Sequence, residues 1–286
     1  MEQINLLQRA KHLLRLYGFF PKKRLGQNFT VNSDMLQRLV SHASLTEDDV
    51  VLEVGAGLGF LTRLLSSECK KVVAVEVDPN IVGILRAQLR GLQNVDLIEG
   101  DILKVSLPPF SKVVSAPPYS ISSPLLFRLL ERSFDWAVLI LQKEFAERLA
   151  ASVGSKDYGR LTVNVYYRAE VELLDPVPRT MFYPPPDVDS MMVRLKPRNP
   201  PFPVEDEAVF FELVRTLFTQ RNKKVRNGLI SFLRKREISR KEAVELADST
   251  VYSAKRVREL APEDFGILAN ELRKFQNRAA GHVEKV

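Results

Sequence analysis

Cysteine is nearly absent from this sequence of 286 residues. Cys69 stands alone, so no internal disulfide can form and no thiolate cluster can hold a metal. Its expected role is that of a small core or surface residue in a reducing compartment. Histidine is almost as scarce. His12, His42 and His282 lie far apart without metal-ligand spacing, which predicts a metal-free protein. No apolar run approaches the roughly 20 residues that a membrane span requires. The stretch Met1 to Asn5 is polar and lacks the core of a secretion signal. Together these absences predict a soluble, cytoplasmic protein, with a monomer as the default state.

What is present is ordinary globular material. Hydrophobic residues make up 45% and charged residues 27%, which argues against disorder. Lys and Arg number 42 against 35 Asp and Glu, a net charge of +7 that suits a polyanionic partner. The excess is local. Residues 1–28 hold six basic side chains against Glu2, and residues 215–240 hold nine against one acid.

Apolar positions over residues 2–17 recur at helical spacing and predict an amphipathic helix, ended by Gly18. A second helix is expected over Ser33–His42. Short apolar runs then alternate with helical patterns. Strands are expected at 50–54, 71–76, 94–98, 112–115 and 136–141, and helices near 60–67, 79–89 and 122–131. That alternation implies an α/β domain around a mixed, mostly parallel sheet with both faces covered. Residues 161–175 and 188–196 are read as further strands. Prolines cluster at 197–201, and from about 205 the pattern is helical throughout. The expected organisation is a domain over 1–196 with a basic N-terminal extension, a small all-α domain over 197–275, and a disordered tail over 276–286.

Glu53-Val54-Gly55-Ala56-Gly57-Leu58-Gly59 falls between an expected strand and an expected helix. Glycines there let the backbone turn tightly and approach a ligand. Glu76 ends the next strand, where a carboxylate can accept hydrogen bonds from ribose hydroxyls. Asp101 ends the third strand region. The arrangement predicts a nucleotide-type cofactor and does not by itself separate a dinucleotide from S-adenosylmethionine.

Ser115-Ala116-Pro117-Pro118-Tyr119 follows the fourth strand. It resembles the motif of amino-methyltransferases: Asn or Asp, any residue or Pro, Pro, then an aromatic. The exocyclic amine of adenine is a poor nucleophile because its lone pair is conjugated with the ring. Acceptors on its two N–H bonds favour a geometry that frees the lone pair. Prolines fix the backbone carbonyl inward, and the aromatic stacks on the flipped base.

Further segments widen the resemblance: 24–29 (RLGQNF), 121–124 (ISSP), 142–144 (QKE), 157–161 (DYGRL), 182–190 (FYPPPDVDS) and 220–227 (QRNKKVRN). Over about residues 18–275 the chain resembles the small-subunit ribosomal RNA adenine dimethyltransferases, the KsgA family, of archaeal or bacterial type. The resemblance implies S-adenosylmethionine as cofactor and S-adenosylhomocysteine as product. It implies N6,N6-dimethylation of two adjacent adenines in the 3′-terminal hairpin of small-subunit ribosomal RNA, on an immature small subunit. Gln27, Asn28 and Thr30 would close over the methionine part, Gly55, Gly57 and Ala116 would line the cofactor loop, Glu76 would hold the ribose and Asp101 the adenine. Tyr119 and Phe182 would sandwich the target base, with Ala116 and Pro117 beside its amine. Lys22, Lys23, Arg24, Arg221, Lys223, Lys224 and Arg226 would contact RNA.

One departure stands out. The family has Asn where this chain has Ala116, and a methyl group accepts no hydrogen bond. Loss of one preorganised polar group at a reacting centre costs roughly a hundred- to a thousandfold in rate, which predicts impaired catalysis with binding retained. Other readings stay open: another acceptor such as water or Ser115, a non-catalytic small-subunit assembly factor, a methyltransferase of large-subunit RNA or DNA adenine, and, less well matched, a nicotinamide oxidoreductase.

Overall fold

In the computed structural model, which describes residues 5–283 and side chains as far as Arg273, α1 (Leu6–Leu16) begins where the Asn5 side chain accepts from the Gln8 amide at 3.1 Å. Residues 2–4 of the expected first helix lie outside the described residues. Next come β1 (Phe29–Thr30), α2 (Ser33–His42), β2 (Val50–Val54), α3 (Phe60–Glu68), β3 (Lys71–Glu76), α4 (Pro79–Gln88), β4 (Val95–Glu99), β5 (Lys112–Ser115), α5 (Ser122–Leu130), β6 (Trp136–Gln142) and α6 (Lys143–Leu149). The chain continues through α7 (Arg160–Arg168), β7 (Ala169–Val177), β8 (Phe182–Tyr183) and β9 (Ser190–Pro197), then α8 (Glu207–Phe218), α9 (Val225–Arg234), α10 (Arg240–Ser249) and α11 (Pro262–Val283).

Seven strands form one sheet in the order β4-β3-β2-β5-β6-β9-β7. The pairs from β4 to β6 are parallel, and β9 runs antiparallel to β6. The central strands are buried almost throughout, as their mostly apolar runs require for a sheet covered on both faces. From β2 the chain crosses to β3 on one side, and β5 returns on the other. The crevice outside the carboxyl ends of β2 and β5 is therefore the switch point where open α/β sheets bind ligands.

Two compact units divide the chain. Residues through Ala146 join Val171–Pro197 in the first, and Glu147–Glu170 join Arg198 onward in the second. One limit falls at the proline cluster near 197. The expectation that 147–170 belongs to the first domain is corrected. Tyr158, Val163 and Tyr167 are buried with Phe210, Phe232 and Phe265 in the core of the helical unit, and the Tyr158 hydroxyl donates to the Leu260 carbonyl at 2.7 Å.

The strand expected over 161–175 is corrected as well: Arg160–Arg168 is helix, and only the remainder is strand. The Thr-Val-Asn-Val-Tyr-Tyr run has β-type composition, but packing decides. Tyr167 lies 4.9 Å from Phe210 and 5.2 Å from Phe202, ring to ring. At the other end, α11 carries helical backbone to Val283, over part of the expected disordered tail; 284–286 lie outside the described residues. Cys69 is buried, its thiol donating to the Leu65 carbonyl at 3.1 Å.

Candidate active site

The turn after β2 needs glycine for two reasons. Gly55 and Gly57 have φ of +75° and +56°, a left-handed region that side chains rarely adopt. A Cβ on Gly55 would also sit 3.1 Å from Pro118 Cδ, and one on Gly57 3.1 Å from Phe29 Cδ1. The glycines thus admit both the motif prolines and β1 to the same cleft. Gly55 and Ala56 amides donate to the Val75 carbonyl, tying the loop to the end of β3.

Glu76, 6% exposed, closes that strand. Its Oε2 accepts from the Gly57 amide, and its Oε1 accepts from the amides of Val77 and Asp78, each at 3.0 Å. Burial raises its pKa, while these amides pull it back toward the charged form. Three of about four lone-pair sites are used, leaving capacity for a ligand hydroxyl. Asp101 accepts the Leu103 amide at 2.9 Å through Oδ1.

A cleft of about 260 Å³ gathers Arg24, Gln27, Asn28, Gly55, Gly57, Glu76, Asp101, Ala116, Pro117, Tyr119 and Phe182. Thr30 opens instead on a small adjoining pocket, shared with Asn28, Gly57 and Ala116. Phe182 arrives from more than 150 residues beyond Asn28 because β1 and β8 pair antiparallel, Thr30 opposite Phe182. Tyr119 is fixed at its far end, where its hydroxyl and that of Ser190 are hydrogen-bonded. Burial raises the phenol's pKa, the Ser190 bond lowers it and the Asp189 charge raises it.

Two neighbours of these residues were not singled out in the sequence. Glu53 is 1% exposed, faces the adjoining pocket, and has Oε2 without a hydrogen-bond partner. Burial pushes its carboxyl up to about 8, with Thr62 lowering it and the Glu76 charge raising it. An acid at the penultimate position of an apolar strand, two residues before the first glycine, was the available signal. Asp78 is the second. It accepts from Lys22 Nζ and from Gln27 Nε2, both at 2.8 Å. Burial raises its carboxyl, but hydrogen bonds from Lys22, Gln27 and the Asn80 amide hold it below the usual range.

Ser115 is not available to replace a missing acceptor. It is fully buried, and its hydroxyl donates to the Val54 carbonyl at 2.6 Å and accepts from the Val54 amide at 3.2 Å.

The expected RNA contacts separate into two kinds. Lys22 is ion-paired to Asp78, Arg221 donates to the Ser155 and Lys156 carbonyls, and Arg226 pairs with Asp248. Lys23, Arg24, Lys223 and Lys224 are exposed. The charged groups of the first three also make contacts within the chain. Among the described residues no cluster of His, Cys, Asp or Glu suits a metal ion, and no helix is long and apolar enough to cross a membrane.

Comparison with known proteins agrees with this geometry. The family model described as ribosomal RNA adenine dimethylase matches residues 19–274. A probable ribosomal RNA small subunit methyltransferase A of Methanosarcina acetivorans is 44% identical over 256 residues, 88% of this chain and 94% of that protein. A Geobacillus protein named ribosomal RNA small subunit methyltransferase A is 38% identical over 279 residues, covering 92% and 96%. Among solved structures, a dimethyladenosine transferase from Plasmodium falciparum superposes with a TM-score of 0.74 at 29% identity, covering 88% of this chain and 98% of that one. The 23S rRNA methyltransferase ErmE gives 0.63 at 30% identity, covering 86% and 100%. With the family model spanning most of its length and relatives this similar over nearly all of it, the chain belongs to the ribosomal RNA adenine dimethylase family.

Proposed function

We propose that this protein methylates the exocyclic amine of adenine in small-subunit ribosomal RNA, with S-adenosylmethionine as donor, and that Ala116 slows the transfer. One observation carries the reading: a single cleft holds the glycine turn, Glu76 and Asp101 beside Pro117, Tyr119 and Phe182. The donor set fits the cofactor. Glu76 has an acceptor site left for a ribose hydroxyl, and Asp101, lining the same cleft, would accept from the adenine amine. The unpartnered oxygen of Glu53, beside Asn28 and Thr30, would accept from the ammonium group of the methionine moiety. When bound, the cofactor supplies an electrophilic methyl group.

The chain's own part is to hold the base. Tyr119 and Phe182 supply apolar faces, and the Pro117 carbonyl accepts from the amine, aligning its lone pair. Where the motif that this segment resembles has Asn, Ala116 offers no acceptor, and Ser115 is committed to Val54. The target we favour is the pair of adjacent adenines in the 3′-terminal hairpin. The small-subunit names of the relatives at 38–44% identity support this target over large-subunit RNA.

The test is transfer of labelled methyl to unmethylated small subunits by this chain and by Ala116→Asn. A large gain with Asn supports the reading, and equal rates refute the role given to position 116. The missing acceptor also favours a second reading, an assembly factor that binds immature small subunits without turnover. Tight binding with no transfer by either form would select it.

A further inference from the structure

The turn that follows α1 is unusual for a soluble surface. Phe20 is 84% exposed, Leu16 65% and Tyr17 45%. An exposed aromatic cluster of this kind marks an interaction site more often than chance placement. Tyr17, Phe19 and Phe20 form one side of an open groove, and Pro79, Gly83 and Ile84 of α4 form the other. Gly83 has nothing within 4 Å of where its Cβ would stand, so the floor is open.

The groove adjoins the cofactor cleft. Lys22 lines the groove and Gln27 lines the cleft, and both bind Oδ2 of Asp78 at 2.8 Å. One polar triad is therefore the wall between the two cavities. Charge selects the occupant. Residues 5–28 contain six basic side chains and no acid, and α4 contains none either. The nearby acid, Asp78, is paired to Lys22. Arg15, Lys23 and Arg24 are exposed around the aromatic turn. Aromatic faces amid unopposed cations suit an unpaired nucleotide: the base stacks, and the phosphate meets the cations.

We propose that this groove is a second RNA subsite, in which Phe20 and Tyr17 stack an unpaired nucleotide that neighbours the target base. The proposal rests on the RNA-methylating reading above. Extrusion of the target unstacks its neighbours, and a stacking platform one wall away compensates for the lost contact. Asn80 also lines the groove, and its side-chain amide can meet a base edge. Stacking and phosphate contacts carry the binding, so the subsite favours unpaired over paired RNA with at most weak sequence selection.

The test uses the full chain and binding readouts, which do not depend on how fast Ala116 allows transfer. Affinity for a small-subunit RNA hairpin with its unpaired loop is compared with that for a continuous duplex of equal length. Phe20→Ala should weaken hairpin binding about ten- to a hundredfold, the range of one base–aromatic stack. Duplex binding, S-adenosylmethionine affinity and melting temperature should stay unchanged. Phe20→Leu should be as weak as the Ala variant, and Phe20→Trp should gain fluorescence quenching by hairpin and not by duplex. Unchanged hairpin affinity in Phe20→Ala, or full rescue by Leu, overturns the proposal. Hairpin affinity kept in Phe20→Ala with association to a ribosomal protein lost would hand the groove to a protein partner and overturn it too. If the unaltered chain binds cofactor but no RNA, the parent reading itself fails.

Discussion

Tyr119 and Ser190 are joined hydroxyl to hydroxyl, which ties the aromatic wall of the cleft to the antiparallel strand β9. Ser190 is fully buried on β9, opposite Gln142 of β6. The ring is thus held at both ends, by the proline turn and by a strand some 70 residues later. Ser190→Ala leaves a half-buried phenol without its partner, which costs about 1 kcal/mol. Tyr119→Phe removes the same bond but keeps the stacking face. We expect Tyr119→Ala to lose hairpin affinity most, Tyr119→Phe least, and Ser190→Ala to fall between them. Binding titrations of the three variants, alongside their melting temperatures, check the order.

Position 116 gives the sharpest kinetic expectation. Ala116 lines both the cleft and the adjoining pocket, so an Asn side chain there would place its amide where the two cavities meet. Restoring one preorganised acceptor should raise single-turnover methyl transfer by roughly a hundred- to a thousandfold, with RNA affinity nearly unchanged. Rapid-quench assays of both forms on the same substrate decide it.

The parts of this molecule legible in its sequence are those governed by local pattern. Val50–Val54 and Lys71–Glu76 read as buried strands because they are short and mostly apolar, and the glycine turn between them follows from φ values only glycine tolerates well. Long-range contacts were not legible. Nothing around Lys22 announces Asp78, 56 residues away, and nothing near Ser155 announces Arg221. A basic run looks the same whether its cations face solvent or carbonyl groups. The segment 160–168 misled for the converse reason: its residues have strand character, but the aromatic core of the helical unit fixes them as helix.

Glu53 makes stability depend on pH. Its folded pKa, pushed up to about 8 by burial, lies well above the roughly 4.3 of an unfolded glutamate. The folded state therefore holds this proton more tightly. The stability it contributes is fully present below about pH 4.3 and is lost as pH rises through about 8. Glu53→Gln keeps the shape and removes the titration. Between about pH 5 and 8.5 its melting temperature should fall less than that of the unaltered chain, leaving it the more stable form at the alkaline end. Parallel curves for the two proteins would refute the assignment.

Asp78 works in the opposite direction. Its folded pKa is depressed, so its contribution is present above the unfolded value of about 3.9 and is lost as pH falls through the lower folded value. The carboxylate is buried, so Lys22→Met strands a charge where one partner has been removed, a change that costs about 3–5 kcal/mol in buried pairs. Lys22→Met with Asp78→Asn removes both charges and should recover much of the loss. A double-mutant cycle by chemical denaturation at pH 7 measures the coupling; additive effects would show that the triad does not brace the wall.

The basic residues of the helical unit can be sorted by one salt titration. Lys223 and Lys224 are exposed, whereas Arg221 spends its guanidinium on the Ser155 and Lys156 carbonyls. A cation that neutralises a phosphate releases counterions, and each such contact to single-stranded RNA steepens the slope of log affinity against log salt by about 0.7. Replacing Lys223 and Lys224 with Ala should therefore flatten that slope by up to roughly 1.4 and leave the melting temperature unchanged. Arg221→Ala should do the reverse: two carbonyls lose charged donors, the melting temperature falls, and the salt slope hardly moves. If Arg221→Ala flattens the slope as much as the two lysines do, its side chain leaves the loop to meet RNA. The division of the basic residues drawn above would then be wrong at that position.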